Sequence, residues 1–301
     1  MRRQSHAKAH GLVQAELTVE PGLPAELAVG LFAAPGTYKA WVRYSSSSGT
    51  PQADAKADVR GMAVNVLGVE GHKALGKHAP DEQDFLMVNG KGFLVATASD
   101  YVEFTQAIAS TGSPAQFFLG FPRAARLRGA RNLAAMVLQR VRNPLAIQYW
   151  STVPYRFGGA AMKFTARPRK PEGFVWSLPD DPDYMRKALS ATLAKETVEL
   201  DFMVQLQVDP VAMPVEDATV QWSEWRSPFR KVATIRMAPQ QPDTDERLAL
   251  AESMVFSPWH ALEAHRPLGP MNRARRIVYE ADVRLRHERN GVAEAVPEAA
   301  E

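Results

Sequence analysis

The sequence predicts an α+β protein with an antiparallel β-barrel core and with inserted and C-terminal helices. Segments with the apolar–polar alternation of strands fill most of the first 90 residues and return between residues 160 and 237. Helical periodicity occupies the stretch between them and the chain from Glu246 onward. Strands that come first, with helices inserted and then gathered at the end, are typical of a barrel or large sheet that carries its helices outside.

The composition is that of a folded globular protein. The 301 residues are 46% hydrophobic and 23% charged, which excludes wholesale disorder and a fibre. The 36 basic residues exceed the 33 acidic ones by only three, so the charge predicts no nucleic-acid partner. The chain has no cysteine, which excludes disulfides, thiolate metal sites and a cysteine nucleophile. No stretch approaches the ~18 apolar residues of a membrane span, and we expect a cytoplasmic protein.

Alternation identifies the strands in order. The first strand follows Gly11, with Val13 and Leu17 on one side and Gln14 and Glu16 on the other. Further strands are predicted at residues 38–44, 61–67, 84–89, 161–165, 198–208, 220–222 and 232–237. The serine run that ends before Gly49 resembles a flexible linker when it is considered alone.

Three stretches carry helical spacing. Residues 100–110 form the first, and the second is an arginine-rich segment at 122–142 whose apolar residues share one face. Its arginines suit a solvated face, an acidic substrate or an anionic membrane surface. The third begins at Glu246 and includes a last helix at 272–288.

The last helix presents a chemically suggestive stripe. Arg275, Tyr279 and Arg286 are four and seven residues apart, so they share one face. A guanidinium beside a tyrosine stabilises its phenolate, and a phenolate is a recognised axial ligand of haem iron. The same pair also suits an ordinary contact that lines a groove.

The histidines give weaker signals. His6 and His10 have the spacing of a helical metal pair, but they lead into a strand and have no third ligand nearby. His260 and His265 show no ligand pattern. Walker A, GxGxxG and GxSxG motifs are absent, so the sequence gives no support to a nucleotide-binding or serine-hydrolase function.

Six short motifs follow one another along the chain. They are R-Q-S-H-A-K from Arg3, V-R-Y-S ending at Ser45, D-V-R-G-M-A-V from Asp58, D-F-L-M-V-N ending at Asn89, E-S-M-V-F-S-P from Glu252 and R-R-I-V-Y ending at Tyr279. Together with the late strands at 220–222 and 232–237, this series resembles the core of haem catalases. The resemblance extends over most of residues 3–287 and implies a catalase-like barrel that binds haem b.

The resemblance also implies roles for individual residues. On the proximal side Tyr279 is the iron ligand, and Arg275 keeps it deprotonated. On the distal side His6 is the acid/base, Ser45 orients it and Asn89 bonds the peroxide. The arginines implied at the haem propionates are Arg3, Arg43 and Arg286, since guanidinium groups pair with carboxylates in a bidentate manner.

Departures from the family pattern predict a minimal relative. Little sequence precedes His6, Gly-Lys-Gly follows Asn89, and Glu280 follows Tyr279. The wrapping connection and the C-terminal region that can hold NADPH are missing, so no NADPH is expected. We therefore expect one haem-binding domain at 1–289 and a disordered acidic tail at 290–301.

The implied activity is reduction of hydrogen peroxide or organic hydroperoxides, with peroxidase and modest catalase activity. Its partners are then a peroxide or lipid hydroperoxide and an electron donor, and a homo-oligomer is compatible with it. One alternative is a hydroperoxide isomerase of the allene-oxide-synthase type, although Gln4-Ser5-His6 fits the Thr-Val-His of that group less well. Another is a haem-binding or lipid-binding barrel without catalysis.

Overall fold

The structure, a computed structural model, describes residues 3, 5–76, 81–111, 113–120 and 124–290. The predicted disordered tail falls outside the described residues apart from Asn290, which ends the last helix. Arg123, at the start of the arginine-rich segment, and Gln4, weighed in the comparison with isomerases, also lie outside the described residues.

The strands of the described residues form one antiparallel sheet that closes on itself. They are β1 (Lys8–Val19), β2 (Thr37–Ser46), β3 (Arg60–Leu67), β4 (Glu82–Val88), β5 (Tyr149–Trp150), β6 (Tyr155–Phe157), β7 (Ala160–Pro168), β8 (Val198–Leu206) and β9 (Arg230–Met237). Their order is β5-β4-β3-β2-β1-β9-β8-β7-β6, and β5 also pairs with β7. This second pairing closes an eight-stranded barrel, to which β6 adds an extra strand.

The inside of the barrel is filled by side chains. Val13 and Leu17 of β1 are fully buried there, as the alternation predicts. Aromatic rings from β4, β7 and β8 meet them at the centre, with the ring centroids of Phe85 and Phe202 4.6 Å apart and those of Phe85 and Phe164 5.1 Å apart. A barrel of this size has room for little else, so a ligand site must lie on its outer face or at its ends.

Helices surround the barrel, and the predicted α+β barrel with inserted and C-terminal helices is confirmed. They are α1 (Ala98–Thr111), α2 (Ala115–Leu119), α3 (Ala124–Val137), α4 (Tyr184–Leu193), α5 (Asp245–Ser253) and α6 (Gly269–Asn290). Thr244 caps α5, because its hydroxyl accepts from the amide of Arg247 at 3.3 Å. None of the helices in the described part of the chain is long and apolar enough to cross a membrane.

The structure departs from the sequence prediction at several short segments. Residues 220–222 form a loop instead of a strand, because the carbonyl of Val220 accepts from Lys163 and the indole of Trp222 donates to Pro214. The strands β5 and β6 and the helix α2 were not predicted, since they are too short to show a period. The helix α4 was also not predicted, although Met185, Leu189 and Leu193 follow helical spacing and are buried. The serine run is no linker where it begins, because Ser45 and Ser46 are buried at the end of β2.

The outer face of the first strands is only partly covered. Leu12 of β1 and Trp41 of β2 pack there against Ala251, Met254 and Phe256, which lie on or just after α5. This cluster covers the middle of the strands. Ala63 of β3 and Leu86 of β4 pack against its edge, and with the strand ends beyond them they form the floor of the candidate site.

Candidate active site

Two rows of residues form the floor of a recess on the outer face. In the register of β2, β3 and β4, Ser45 pairs with Gly61 and Gly61 with Val88, while Arg43, Ala63 and Leu86 form the neighbouring row. Residues that pair directly across strands point to the same side of a sheet. The three apolar members, Ala63, Leu86 and Val88, keep partial exposure although their strands lie within the sheet. We call this floor the outer recess.

His6 lies on this recess, just before β1. Its Nδ1 is 2.9 Å from the hydroxyl of Ser45, and its amide donates to the carbonyl of Ser47 at 3.0 Å. A Cβ built on Gly61 would lie only 2.4 Å from Cε1 of the ring, so the imidazole occupies the space that a side chain would fill. The φ of His6 is 57°, a strained conformation for a residue with a side chain, and such strain often marks functional sites.

The imidazole of His6 is held neutral. Its pKa is lowered to about 4, mainly by burial and then by the charge of Arg43; Arg275 and Arg3 add to the effect and Asp58 opposes it. A neutral imidazole can accept a proton at pH 7. With Nδ1 donating to Ser45, Nε2 is the nitrogen that accepts this proton.

Three arginines from separate parts of the chain converge at the edge of the recess. Arg43 donates to the carbonyl of His6 at 2.8 Å and lies 3.6 Å from the carboxylate of Glu252. Arg286 of α6 donates to the carbonyl of Glu252, and Arg3 donates to the carbonyl of Ala251 at 2.9 Å. Burial and their mutual repulsion lower the pKa of Arg3 to about 9, and burial lowers that of Arg43 to about 10.

The arginine cluster brings three buried guanidinium groups together beside two carboxylates. Glu252 is the carboxylate closest to Arg43, and Asp282 lies 4.0 Å from Arg286. Within the part of the chain that the structure describes, the buried Nε atoms of Arg3 and Arg43 have no hydrogen-bond partner. Buried cations require compensation, so the cluster suits an anionic group placed beside Arg3 and Arg43.

Tyr279 and Arg275 form the pair that the last helix predicted. An Nη of Arg275 donates to the tyrosine hydroxyl at 3.2 Å, and the guanidinium carbon lies 5.3 Å from the tyrosine ring centroid. Asn272 accepts from the other Nη at 3.2 Å and holds the guanidinium in place. Burial disfavours the charge of Arg275, but the hydroxyls of Tyr279 and Tyr155 more than offset it and raise its pKa.

Asn89 lies elsewhere, although it directly follows β4. Its side-chain oxygen accepts from the amide of Arg60 at 2.8 Å. Its amide nitrogen donates to the carbonyl of Met136 and to the side chain of Gln139, both at 2.9 Å. These bonds tie the end of β4 to the end of α3. The structure therefore does not bring the Asn89 side chain into the outer recess with His6 and Ser45.

Sequence reasoning missed Gly61 and Val88 as members of the recess. The alternation along β4 gives the signal for Val88. Phe85 and Met87 point into the barrel core, so the residue after Met87 points to the outer face. Val88 therefore points outward. Gly61 could be recognised only from the ring of His6 above it, which is a contact between distant parts of the chain.

Three other histidines, His10, His260 and His265, have structural contacts. Nε2 of His10 bonds the hydroxyl of Ser46 at 2.9 Å, so His10 does not join His6 in a metal pair. His265 accepts from the amide of Leu31 at 3.1 Å. His260 lies 3.2 Å from Asp84, and Glu82 stands close to both; ligand atoms of these three residues lie within 4.8 Å of one another. This acidic cluster was not predicted.

Comparison with solved structures identifies the architecture. A fungal catalase superposes with a TM-score of 0.77 at 18% identity, over 95% of this chain and 60% of that one. Catalase A from Saccharomyces cerevisiae gives a TM-score of 0.77 at 17% identity, over 95% of this chain and 61% of that one. A bacterial catalase gives 0.70 at 17% identity, with 95% and 57% covered.

The comparisons show a catalase-like fold. The chain spans about three fifths of the length of these catalases, since the superpositions cover 57% to 61% of them. No family model matches the sequence, and a search of curated proteins finds no similar sequence. The likeness therefore concerns the fold, and the chemistry must be argued from the residues of the recess.

Proposed function

We propose that this protein is a haem-dependent hydroperoxidase that reduces organic hydroperoxides or hydrogen peroxide with the help of an electron donor. The observation that carries the proposal is the outer recess itself. A neutral histidine, held by Ser45 against Gly61, lies on the same recess as a cluster of buried arginines. The charge of Arg275, the partner of Tyr279, reaches the same histidine.

The donor set fits haem b. Arg3, Arg43 and Arg286 are buried guanidinium groups of the kind that would pair with two propionates. Tyr279 supplies a phenol that is bonded to a guanidinium, which is the arrangement an anionic iron ligand needs. The apolar floor of the recess suits the porphyrin plane. When bound, haem supplies the redox chemistry that cleaves the O–O bond.

His6 performs the proton transfers. Its neutral imidazole takes a proton from the bound hydroperoxide at Nε2 and returns it to the oxygen that leaves. Ser45 fixes the ring at Nδ1, so that the transferring nitrogen keeps one orientation. General acid–base catalysis of this kind contributes roughly 10²–10⁴-fold. Arg275 donates to the hydroxyl of Tyr279 and so holds that oxygen in one position.

The first test is the absorption spectrum of the protein with and without haemin. Apoprotein titrated with haemin should bind one equivalent and give the spectrum of a ferric phenolate complex. Added peroxide should then be consumed, with oxygen evolution if the activity is catalase and with oxidation of an added phenol if it is peroxidase. Rapid loss of a fatty-acid hydroperoxide with neither product would support an isomerase instead.

Substitution of His6 tests the proposed proton transfer. His6→Ala should keep the bound haem but lose at least about 10²-fold in peroxide turnover. The exposed His72 offers a matched control, and His72→Ala should behave as the unchanged protein. Apoprotein that binds no haemin would refute the proposed function, and undiminished turnover by His6→Ala would remove His6 from the mechanism.

A further inference from the structure

We propose that Val88 determines substrate choice in the outer recess and that the site favours organic hydroperoxides with apolar substituents over hydrogen peroxide. This inference rests on the proposed function. It concerns the wall next to the acid/base residue, where the sequence placed the polar side chain of Asn89.

The sheet register places Val88 next to His6. Val88 pairs with Gly61, and Gly61 pairs with Ser45, so all three residues point to the same face. The His6 ring occupies the Cβ position of Gly61 in the middle of that row. The side chain of Val88 therefore lines the recess on the side of the imidazole away from Ser45.

Asn89 cannot take this position without breaking its own bonds. Both hydrogens of its side-chain amide and its oxygen are engaged with Met136, Gln139 and Arg60. A turn towards the recess would leave the buried amide of Arg60 and the carbonyl of Met136 without these partners. Buried polar groups that lose a partner are costly, so the observed position of Asn89 is strongly favoured.

The polar side chains of the two rows already make hydrogen bonds, and only the buried Nε of Arg43 is left without a partner among the described residues. Ser45 is bonded to the ring of His6, and Arg43 donates to the backbone of His6 beside Glu252. A peroxide in the recess therefore meets one proton-transferring nitrogen and an apolar wall of Ala63, Leu86 and Val88. Hydrogen peroxide, polar at both ends, would leave hydrogen bonds unmade there, whereas an alkyl or aryl substituent gains by burial roughly fourfold in affinity per methylene.

The reaction is balanced by a phenolic reductant. A hydroperoxide ROOH and two phenols ArOH give the alcohol ROH, water and two phenoxyl radicals. The O–O bond breaks, each phenol supplies one electron and one proton, and His6 carries the proton between the two peroxide oxygens. No other co-reactant is needed.

The kinetic experiment compares two hydroperoxides on the haemin-loaded protein. With a phenol in excess, kcat/KM for cumene hydroperoxide should exceed that for hydrogen peroxide at least about tenfold, since the substituent buries several carbons. Val88→Asn should lower this ratio at least about tenfold, and Val88→Ile, which keeps the wall apolar, should leave cumene hydroperoxide the better substrate. An unchanged protein that prefers hydrogen peroxide, or an unaltered ratio in Val88→Asn, would overturn the inference.

A second readout needs no haem. In apoprotein, Asn89→Ala should lower the midpoint of urea unfolding and speed hydrogen exchange at the amide of Arg60, since it removes the bond to that amide. Val88→Asn should not speed exchange there. If Asn89→Ala changes neither midpoint nor exchange, the placement of the two side chains is wrong. Apoprotein that takes up no haemin would instead overturn the proposed function, and the substrate choice with it, while these apoprotein results stand.

Discussion

The imidazole of His6 occupies the space above the Cα of Gly61, where a Cβ would come within 2.4 Å of Cε1 and 2.6 Å of Nδ1. The contact joins a residue that precedes β1 to the middle strand of the recess floor. Together with the bond from Ser45, it fixes the imidazole on two sides.

Gly61→Ala should move this ring and reduce turnover. The added methyl group overlaps the imidazole, so His6 must tilt and its bond to Ser45 must lengthen. We expect haem to remain bound and kcat for peroxide to fall at least about tenfold, because misplacement of a catalytic group by an ångström is enough for such losses. Gly159→Ala is the control, since a Cβ at Gly159 meets nothing within 4 Å. Equal kinetics for the two variants would argue against the His6–Gly61 contact.

Tyr279→Phe should lose haem or bind it far more weakly. The substitution removes the hydroxyl that accepts from Arg275 and with it the proposed iron ligand. Absorption spectra during haemin titration measure both the affinity and the phenolate band. Tyr38→Phe, which alters a half-buried tyrosine at the start of β2, serves as the control. A Tyr279→Phe protein with an unchanged spectrum would contradict the axial role.

Arg286→Met should weaken haemin binding at least about tenfold. Its side chain is 2% exposed and belongs to the cluster that would hold the propionates, and a charge-assisted bond contributes about 1.5–3 kcal/mol. Arg284, two residues earlier on α6, is exposed, so Arg284→Met provides a matched loss of charge. Titration of both apoproteins with haemin gives the comparison. Equal affinities would mean that the positive cluster does not contact the ligand.

Much of this arrangement was accessible from the sequence, because it depends on local periodicity. Alternation after Gly11 identified β1, and the spacing of Arg275 and Tyr279 correctly predicted their contact in α6. Closure of the barrel was harder to foresee. It depends on β5, a strand of two residues that pairs with both β4 and β7, and two residues are too short to show a period.

The residues of the recess were also only partly predictable from local sequence patterns. The motif that ends at Asn89 correctly led to the end of β4. A motif alone, however, does not say which face of the sheet a residue occupies. Here the bonds of Asn89 to Met136 and Gln139, some 50 positions away in the chain, settle the matter. Such long-range contacts follow from how α3 packs on the barrel, and no local pattern encodes them.

Buried histidines should make the apoprotein less stable as the pH falls. Burial is the main cause that lowers the pKa of His265 and of His6 to about 4, and burial also lowers the pKa of His10 well below 6.5. The unfolded chain takes up protons near pH 6.5, whereas the folded protein resists them until about pH 4. The free energy of unfolding therefore decreases as the pH falls through this window, and is restored above pH 6.5. Well below pH 6.5 each such histidine contributes roughly 1.4 kcal/mol per pH unit.

Urea unfolding of the apoprotein between pH 7.5 and pH 5 measures this slope. The window stays above the range in which the carboxylates titrate, so histidines dominate it. His10→Gln should remove the contribution of about one proton from this slope. The reason is that His10 is 1% exposed and cannot be charged without losing its place beside Lys8 and Arg60. His72→Gln should leave the slope unchanged, since His72 is exposed. If stability were constant from pH 7.5 to pH 5, or if the two substitutions acted alike, the buried histidines would have to be charged in the folded protein. The proposed proton transfer, which depends on a neutral His6, would then lose its physical basis.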